Sequence, residues 1–331
     1  MTYFPPNAPP EAISPSSETS GAAAPPRPAR PRLSLGQKLA AFWLGHLFWA
    51  ARCAPWYARI TVGFWIFAAW LFSPALRRNT LANSRHILGK DATHAQCRRL
   101  ARNTIRSFFM FVYDIGRHGR MDAAQMRQDV EHVEGSQHYD AARDLGRGVI
   151  VATAHFGAFE SAVASLLEHE PKIHVVFQRD RSGAFEEVRR RLHERLGVIE
   201  HPIDDGLSAG AGLRGALQRG EAVLMQADRV MPGQRGTLMP FFDSHIEMPV
   251  GPAKLAAMTH SPIVPVFARR MPGGKVRITI HPAIQVNLAE NPDALTDTVR
   301  HLAVVIESHV REHPEQWLTL HQPWRETSSH A

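Results

Sequence analysis

The sequence predicts an α/β fold, in which a mixed β-sheet is flanked by helices and follows a helical N-terminal segment. A chain of 331 residues, 44% of them hydrophobic, can bury the sizeable core that one such domain needs. The run Val149–Thr153 is uninterrupted and rich in β-branched residues, as in strands covered on both faces, and Phe159–Leu167 fits a helix that packs back onto the sheet. Farther along, Ile263–Arg269 and Lys275–Ile280 flank Met271-Pro-Gly-Gly274, which predicts a β-hairpin.

The first 78 residues differ in composition from the rest of the chain. Residues 1–32 are rich in Pro, Ala and Ser and nearly lack aliphatic core residues, so we predict a disordered arm that cannot bury enough surface to offset chain entropy. Residues 33–78 are rich in aromatic residues, and their apolar run Ile60–Phe72 is bracketed by arginines. A bilayer-spanning helix needs about 20 apolar residues, and Trp, Tyr and Arg at its edges resemble an interfacial belt. We therefore predict a membrane-associated helical segment, with a buried helical hairpin as the alternative.

A histidine ends the buried strand, and a glutamate follows it five residues later. His155 lies at the strand-to-helix turn, and catalytic groups in open α/β sheets gather at the carboxyl ends of strands. Because residues five apart on a helix are rotated by about 140°, we expect His155 to precede the helix, with its ring reaching along the first turn to Glu160. The carboxylate would then hold one ring nitrogen and leave the other free as a base. A histidine that only caps a helix is the alternative.

The attacking group is expected to be a hydroxyl of the substrate. Ser161 lies outside any Gly-x-Ser-x-Gly elbow, so the sequence offers no nucleophile beside the histidine.

Composition argues against several other classes of function. The net charge of +7 is spread along the chain without a nucleic-acid-binding signature, and anionic lipid headgroups or an acidic carrier protein would explain it as well. Cys53 and Cys97 have the spacing of neither a disulfide framework nor a zinc site, and the histidines lack metal-ligand spacing. The glycines of Gly210–Gly215 do not directly follow a first strand, as a dinucleotide site requires. We therefore predict no nucleic-acid partner and no metal.

The segment His155-Phe-Gly-Ala-Phe-Glu160 resembles the His-x4-Asp/Glu signature of the lysophospholipid acyltransferase superfamily, and in particular of its lipid A biosynthesis (lauroyl/myristoyl) acyltransferase branch. The resemblance covers roughly residues 52–324. It continues, in the family's order, through the blocks Gln178-Arg-Asp180, Ala227-Asp-Arg229, Met239-Pro-Phe-Phe242, Pro249-Val-Gly-Pro252, Val264-Pro-Val266 and His313-Pro-Glu-Gln-Trp317.

This resemblance implies an O-acyltransferase with a glycerolipid acyltransferase-like domain over residues 79–326. Such an enzyme transfers a fatty acyl chain from an acyl carrier protein or coenzyme A thioester to a hydroxyl of a (glyco)lipid acceptor, as in lipid A biosynthesis. It needs no cofactor besides that co-substrate, and it acts at the inner (cytoplasmic) membrane with its catalytic domain facing the cytoplasm. The alternatives are a lipid or pigment acceptor other than lipid A, and a non-catalytic membrane subunit of a lipid pathway.

The resemblance also implies roles for particular residues. His155 would be the general base and Glu160 would orient it. Arg179 lies where the family has an arginine, in an Arg-Pro-x-Asp-Asn-Pro-like block, that is thought to bind a phosphate of acceptor or donor, and a planar guanidinium suits that ligand. Asp228 and Arg229 follow the predicted strand at residues 221–227, where the lipid A enzymes usually have Pro-Asp-Gln-Asp, and this difference is the reason for the alternative of an acceptor other than lipid A. Asp228 is expected to position Arg229 or an acceptor hydroxyl, or else to form a loop salt bridge.

Two glycines complete the predicted site. Backbone N–H groups near Gly157 are expected to stabilise the oxyanion of the reaction. Gly251 opens a helix after a Pro-rich turn, where N–H groups would hold a phosphate or carbonyl oxygen.

Overall fold

The computed structural model describes residues 35–179, 184–231, 234 and 236–325, and the predicted disordered arm lies outside them. The α-helices of this part are α1 (Leu35–Cys53), α2 (Pro55–Phe72), α3 (Pro74–Leu88), α4 (His94–His118), α5 (Ala123–Arg127), α6 (Ser136–Arg143), α7 (Phe159–Leu166), α8 (Ala184–Leu196), α9 (Leu207–Gln218), α10 (Gly251–Thr259) and α11 (Ala294–Glu312). The strands are β1 (Val130–Glu134), β2 (Val149–Thr153), β3 (Ile173–Phe177), β4 (Ile199–Pro202), β5 (Ala222–Gln226), β6 (Gly236–Phe241), β7 (Ser244–Pro249), β8 (Ile263–Arg270), β9 (Val276–Ile280) and β10 (Trp324–Arg325).

The main sheet is mixed, as predicted, and its strand order is β1-β9-β8-β2-β5-β3-β4. The strands β8, β2, β5, β3 and β4 are parallel to one another. The predicted hairpin is present, because β9 runs antiparallel to β8 after a turn at Pro272–Gly274. A smaller antiparallel sheet has the order β10-β7-β6. In the main sheet β2, which precedes the histidine, is therefore a central strand with β5 beside it.

Helices cover both faces of the main sheet, which explains the unbroken apolar character of β2. Every residue of β2 is buried. Side chains of α9, α10 and α11 form one core with the sheet, and side chains of α6 and α7 form the core on the opposite face. Alternate residues of each strand supply the two cores, since successive side chains of a strand point to opposite faces. In β5, for example, Val223 belongs to the first core and Leu224 to the second.

The N-terminal helices pack against the α/β domain on one side and are exposed on the other. Leu47 and Phe48 of α1 are buried against Phe111 and Ile115 of α4. Helix α1 passes so close to α4 that a side chain at Gly116 would lie 2.8 Å from Cβ of Ala51. Large apolar side chains nevertheless remain exposed on α1 and α2, namely Phe42, Trp43, Trp49, Trp56, Ile60, Phe64, Phe67, Leu71 and Phe72.

The predicted membrane-associated segment has no single helix of spanning length within the part that the structure describes. Trp56–Phe72 and Pro74–Leu88 meet the criteria of length and composition only together, as a pair bent by 96°. Membrane contact of this segment stays a prediction.

Candidate active site

The histidine that ends β2 lies beside an aspartate that ends β5. Thr153 is the register partner of Gln226, so the residues two positions beyond each of them are neighbours across the two strands. His155 Nδ1 lies 2.7 Å from Oδ1 of Asp228. The aspartate side chain is fully buried, whereas 19% of the histidine side chain is exposed.

A tryptophan from the C-terminal part of the chain holds the second oxygen of this aspartate. Trp317 Nε1 donates a hydrogen bond to Oδ2 of Asp228, with 3.0 Å between the atoms. Burial by itself would raise the pKa of Asp228, but the charges of His155 and Arg229 and the hydrogen bonds from His155 and Trp317 hold this pKa well below its usual range. Asp228 is therefore an ionised acceptor of two hydrogen bonds.

The ionised aspartate decides which nitrogen of the histidine carries the proton. Because Asp228 can only accept, Nδ1 of a neutral His155 is the protonated atom and Nε2 carries the lone pair. No residue in the described part of the chain forms a hydrogen bond with Nε2. Burial and the charge of Arg229 lower the pKa of His155, and the opposing effect of Asp228 is smaller. His155 is thus a neutral imidazole with an unprotonated Nε2 at neutral pH.

The predicted contact between His155 and Glu160 is replaced by a different one. Glu160 lies in the first turn of α7, where its Oε2 is 3.3 Å from Nε2 of His193 on α8. The other ring nitrogen of His193 lies 2.6 Å from Glu200. Burial lowers the pKa of His193, but the hydrogen bonds with Glu160 and Glu200 outweigh it and raise this pKa to about 9. The two carboxylates therefore flank a protonated histidine, and the local i+5 spacing was the wrong guide to the partner of His155.

Of the two predicted glycines, Gly157 has its N–H group bound elsewhere, and the role of Gly251 stays a prediction. Gly157 has a positive φ of 59° and donates its N–H to the carbonyl oxygen of Gln316 at 2.9 Å. A side chain at Gly157 would lie 2.1 Å from the carbonyl oxygen of Ala268, so the close packing of the turn requires glycine here. The next N–H, that of Ala158, donates to the same carbonyl at 2.8 Å. Gly251 opens α10 near Met225, and neither glycine lines the cavity described below.

The guanidinium of Arg179 is already engaged by an acidic side chain. It forms a bidentate ion pair with Asp205, with distances of 2.7 and 3.1 Å, and its main-chain N–H donates to Asp204 at 3.0 Å. These hydrogen bonds raise the pKa of Arg179, whose side chain is 44% exposed. An incoming phosphate would have to displace Asp205 or share the guanidinium with it.

A cavity of about 640 Å³ joins these groups. Its polar lining is supplied by His155, Glu160, Gln178, Arg179, Arg189, His193, Gln226 and Arg229. Its apolar lining is supplied by Phe108, Phe111, Phe159, Val163, Val175, Val176, Phe177, Phe185, Leu224, Met231 and Leu318. Within the described residues, Nε of Arg229 and Nη2 of Arg189 are buried without a hydrogen-bond partner. The cavity thus combines long apolar walls with a base and two incompletely satisfied guanidinium groups.

The sequence identified His155, Asp228 and Arg229 as site residues, but the pairing of the first two and the contribution of Trp317 come from the structure. Trp317 lies in one of the blocks that carry the family resemblance, and this block is the sequence feature that could have identified it as a site residue. Its block pairs with the catalytic turn, since the N–H of Leu318 donates to the carbonyl oxygen of His155 at 2.7 Å. Arg189 and His193 lie in a charged helix, and nothing in the sequence pattern distinguished them.

Comparison with known proteins relates this chain to acyltransferases. A model of the bacterial lipid A biosynthesis acyltransferase family matches residues 30–326. A phosphatidylinositol mannoside acyltransferase from Mycobacterium tuberculosis (strain CDC 1551 / Oshkosh) is 24% identical over 223 residues, which are 67% of this chain and 69% of that protein. The protein of the same name from Mycolicibacterium smegmatis is 23% identical over 226 residues, which are 68% of this chain and 72% of that protein. The solved structure of the 1-acyl-sn-glycerophosphate (LPA) acyltransferase PlsC from Thermotoga maritima is similar with a TM-score of 0.34 and 14% identity, over 83% of this chain and 98% of that one.

The family model covers every residue that the structure describes, including both strand ends that carry the site. The family resemblance of the sequence is thereby confirmed, and a non-catalytic subunit is not supported. The chain belongs to the bacterial lipid A biosynthesis acyltransferase family and is an acyltransferase.

Proposed function

We propose that this acyltransferase moves a fatty acyl chain from a thioester donor to a hydroxyl of a membrane glycolipid. The observation that carries the proposal is the neutral His155, held by Asp228, in the wall of a cavity whose remaining walls are largely apolar. The base suits activation of a hydroxyl, and the apolar walls suit a hydrocarbon chain.

The reaction requires one proton to be taken up and returned. Nε2 of His155 accepts the proton of the acceptor hydroxyl while the hydroxyl oxygen attacks the carbonyl carbon of the thioester. The resulting imidazolium is stabilised by Asp228, whose charge lies 2.7 Å from Nδ1. When the tetrahedral intermediate collapses, the C–S bond breaks, the ester is released, and the leaving thiolate takes the proton from Nε2. No covalent enzyme intermediate is needed.

Arg229 is our candidate for stabilising the oxyanion of that intermediate. The backbone N–H groups of Gly157 and Ala158 already bind main-chain carbonyls. Arg229 follows Asp228 directly, lines the cavity, and has a buried Nε without a partner in the described residues. A preoriented cation in a site of low dielectric stabilises a developing negative charge strongly.

We propose that the donor is a coenzyme A or acyl carrier protein thioester, which carries phosphate in either form. Arg179 is more exposed than Arg189 and Arg229, the other arginines that line the cavity, and its guanidinium is oriented by Asp205. A phosphate that replaced Asp205 would gain the same bidentate geometry. Both donors have this chemistry, and kinetics with each of them separates the two.

We propose that the acceptor is a lipid of the inner (cytoplasmic) membrane. In this proposal residues 33–78 contact the membrane and the catalytic domain faces the cytoplasm. The exposed apolar side chains of α1 and α2 support this, since soluble proteins seldom expose so many large apolar groups together. Exposed basic side chains on the neighbouring helices α3 and α4 and on the turn between them suit anionic headgroups, and they are Arg78, Arg85, Lys90, Arg98, Arg99, Arg102 and Arg106.

Two classes of glycolipid headgroup are candidates for the acceptor. Membership of the family favours a lipid A precursor. The relatives named phosphatidylinositol mannoside acyltransferase favour a mannosylated phosphatidylinositol-like glycolipid. The block Ala227-Asp-Arg229 departs from the usual lipid A enzyme pattern, which favours the second class or another lipid or pigment.

The test is acyl transfer by the purified full-length chain, with acyl-coenzyme A and acyl-acyl carrier protein as donors. The acceptors are a lipid A precursor, phosphatidylinositol mannoside and lysophosphatidic acid, and mass spectrometry detects the new ester. We expect transfer to at least one glycolipid and a loss of about 10²-fold or more in His155→Gln, because general base catalysis is worth that much. Unchanged transfer by His155→Gln would contradict the proposed mechanism.

A further inference from the structure

A second cavity lies on the same face of the sheet as the cavity that contains His155. It has a volume of about 170 Å³, and its floor is formed by apolar side chains of β2, β8 and β9, including Val151, Val266 and Ile278. Helix α7 supplies Ala162 and Leu166 to its wall. We call the larger space the catalytic cavity and this smaller one the distal cavity.

The two cavities share one lining residue. Leu224 of β5 lines both of them. Along α7, Val163 lines the catalytic cavity, whereas the preceding residue, Ala162, lines the distal one. Leu224 is only 4% exposed and belongs to the core on this face. The side chain of Leu224 therefore forms a partition that a single substitution can thin.

The chemistry of the distal cavity fits a hydrocarbon rather than a polar ligand. Its floor is apolar, and the ion pair that Arg127 forms with Glu168 at 3.1 Å is partly exposed. The other polar residues of its lining belong to α6, to α7 and to the turn after α7 rather than to the floor, and they are Ser136, Tyr139, Asp140, Ser165 and His169. A hydrocarbon gains free energy roughly in proportion to the apolar area that it buries, with no need for directed contacts. Space of this kind in continuation of an acyl site can take the end of a longer chain.

We propose that Leu224 determines the longest acyl chain the enzyme accepts, because its side chain stops the methyl end of the chain in the catalytic cavity and keeps it out of the distal cavity. The inference rests on the proposed function, because it assumes that the acyl chain occupies the catalytic cavity. Leu224 is a specificity-determining residue in this scheme and takes no part in the chemical step.

The test compares saturated acyl-coenzyme A and acyl-acyl carrier protein donors that differ by two methylenes. The quantity compared is the ratio of kcat/KM for a donor two methylenes longer than the parent's optimum to kcat/KM for that optimum. Leu224→Ala should raise this ratio roughly tenfold relative to the parent. Leu224→Val, which removes less volume and keeps more of the packing, should give a smaller shift in the same direction. Adding Ala162→Phe to Leu224→Ala fills the distal cavity and should return the profile to that of the parent.

The matched control is Leu213→Ala, which truncates a buried leucine of the core on the opposite face of the sheet. It should leave the chain-length profile unchanged. A profile of Leu224→Ala that equals those of the parent and Leu213→Ala would overturn the inference while leaving the proposed acyl transfer intact.

A second measurement is independent of turnover. A long-chain fatty acid with a photoreactive diazirine at its methyl end is bound and irradiated, and labelled peptides are identified by mass spectrometry. In Leu224→Ala, labelling should extend to the peptide that contains β9, and the added Ala162→Phe should abolish that label. Labelling that never reaches β9 in Leu224→Ala would overturn the inference, whether or not the parent transfers acyl groups. A parent that transfers no acyl group would instead count against the proposed function.

Discussion

Replacing Asp228 by asparagine tests whether Asp228 or Glu160 is the carboxylate that orients His155. The substitution keeps the shape of the side chain, but an amide has one acceptor atom where the carboxylate has two. In the parent both oxygens are used, one by His155 at 2.7 Å and the other by Trp317 at 3.0 Å. Asparagine can therefore satisfy only one of these donors.

Either orientation of the amide weakens the base. If the amide oxygen faces Trp317, the NH₂ group faces Nδ1 of His155 and favours the tautomer in which Nε2 is protonated, so the base is lost. If the oxygen faces His155, a buried indole N–H is left unpaired, which costs about 1–3 kcal/mol. In both cases the imidazolium loses its carboxylate partner, and a hydrogen bond to a charged group is worth about 1.5–3 kcal/mol. The unpaired indole costs the same before and during the reaction, so it lowers stability and not kcat. We expect kcat to fall by about 10–10²-fold from the lost carboxylate alone and by about 10²–10⁴-fold where the base is lost.

The assay is acyl transfer measured as a function of pH, with Glu160→Gln as the matched control. In the parent, kcat/KM should fall as the pH drops through the pKa of His155, which burial holds below its ordinary value. Asp228 opposes that lowering, so residual activity of Asp228→Asn should show its acid limb at a still lower pH. Glu160→Gln should lose less activity than Asp228→Asn, because Glu160 contacts His193 and not His155. A large loss in Glu160→Gln with near-parental activity in Asp228→Asn would refute the assignment of Asp228.

Two further predictions concern stability and membrane contact. The folded-state pKa of His193 is raised to about 9 from an ordinary value near 6.5, so its stabilising contribution is complete below about pH 6.5 and is lost as the pH rises through about 9. Thermal unfolding should show a loss of up to about 3 kcal/mol over this range in the parent, and an equal loss in His193→Gln would contradict the ion-pair account. Replacing the exposed Ile60, Phe64 and Phe67 by serine should reduce co-flotation with anionic phospholipid vesicles, whereas replacing the exposed Leu207 of α9 should not. Unchanged flotation of the triple variant would argue against membrane contact through α2.

Much of the fold could be read from the sequence because it depends on local patterns. The apolar run of β2, the helix after it and the β8–β9 hairpin follow from periodicity and turn residues within short segments. The position of His155 at a strand end, the position of Asp228 at another, and the family itself were also contained in short motifs.

The partner of the histidine was decided by the order of the strands. His155 and Asp228 are 73 residues apart in the chain, and they meet only because β5 rather than β3 pairs with β2. Sequence spacing pointed to Glu160, which is close along the chain but is turned toward α8. Strand order depends on how the helices on both faces pack, and no short segment encodes that packing.

The hydrogen-bond partners of Glu160 and Gly157 were also decided by residues that are distant in sequence. Glu160 is only five residues from His155 in the chain, but its partner in the folded protein is His193, which α8 brings to it. The N–H of Gly157 could be predicted to be near the reaction, but only the folded C-terminal segment shows that Gln316 accepts its hydrogen bond. The sequence by itself therefore determined which residue types stand at the strand ends, and the tertiary structure decided which of them touch, because hydrogen-bond partners are chosen by distances in space that long-range packing sets.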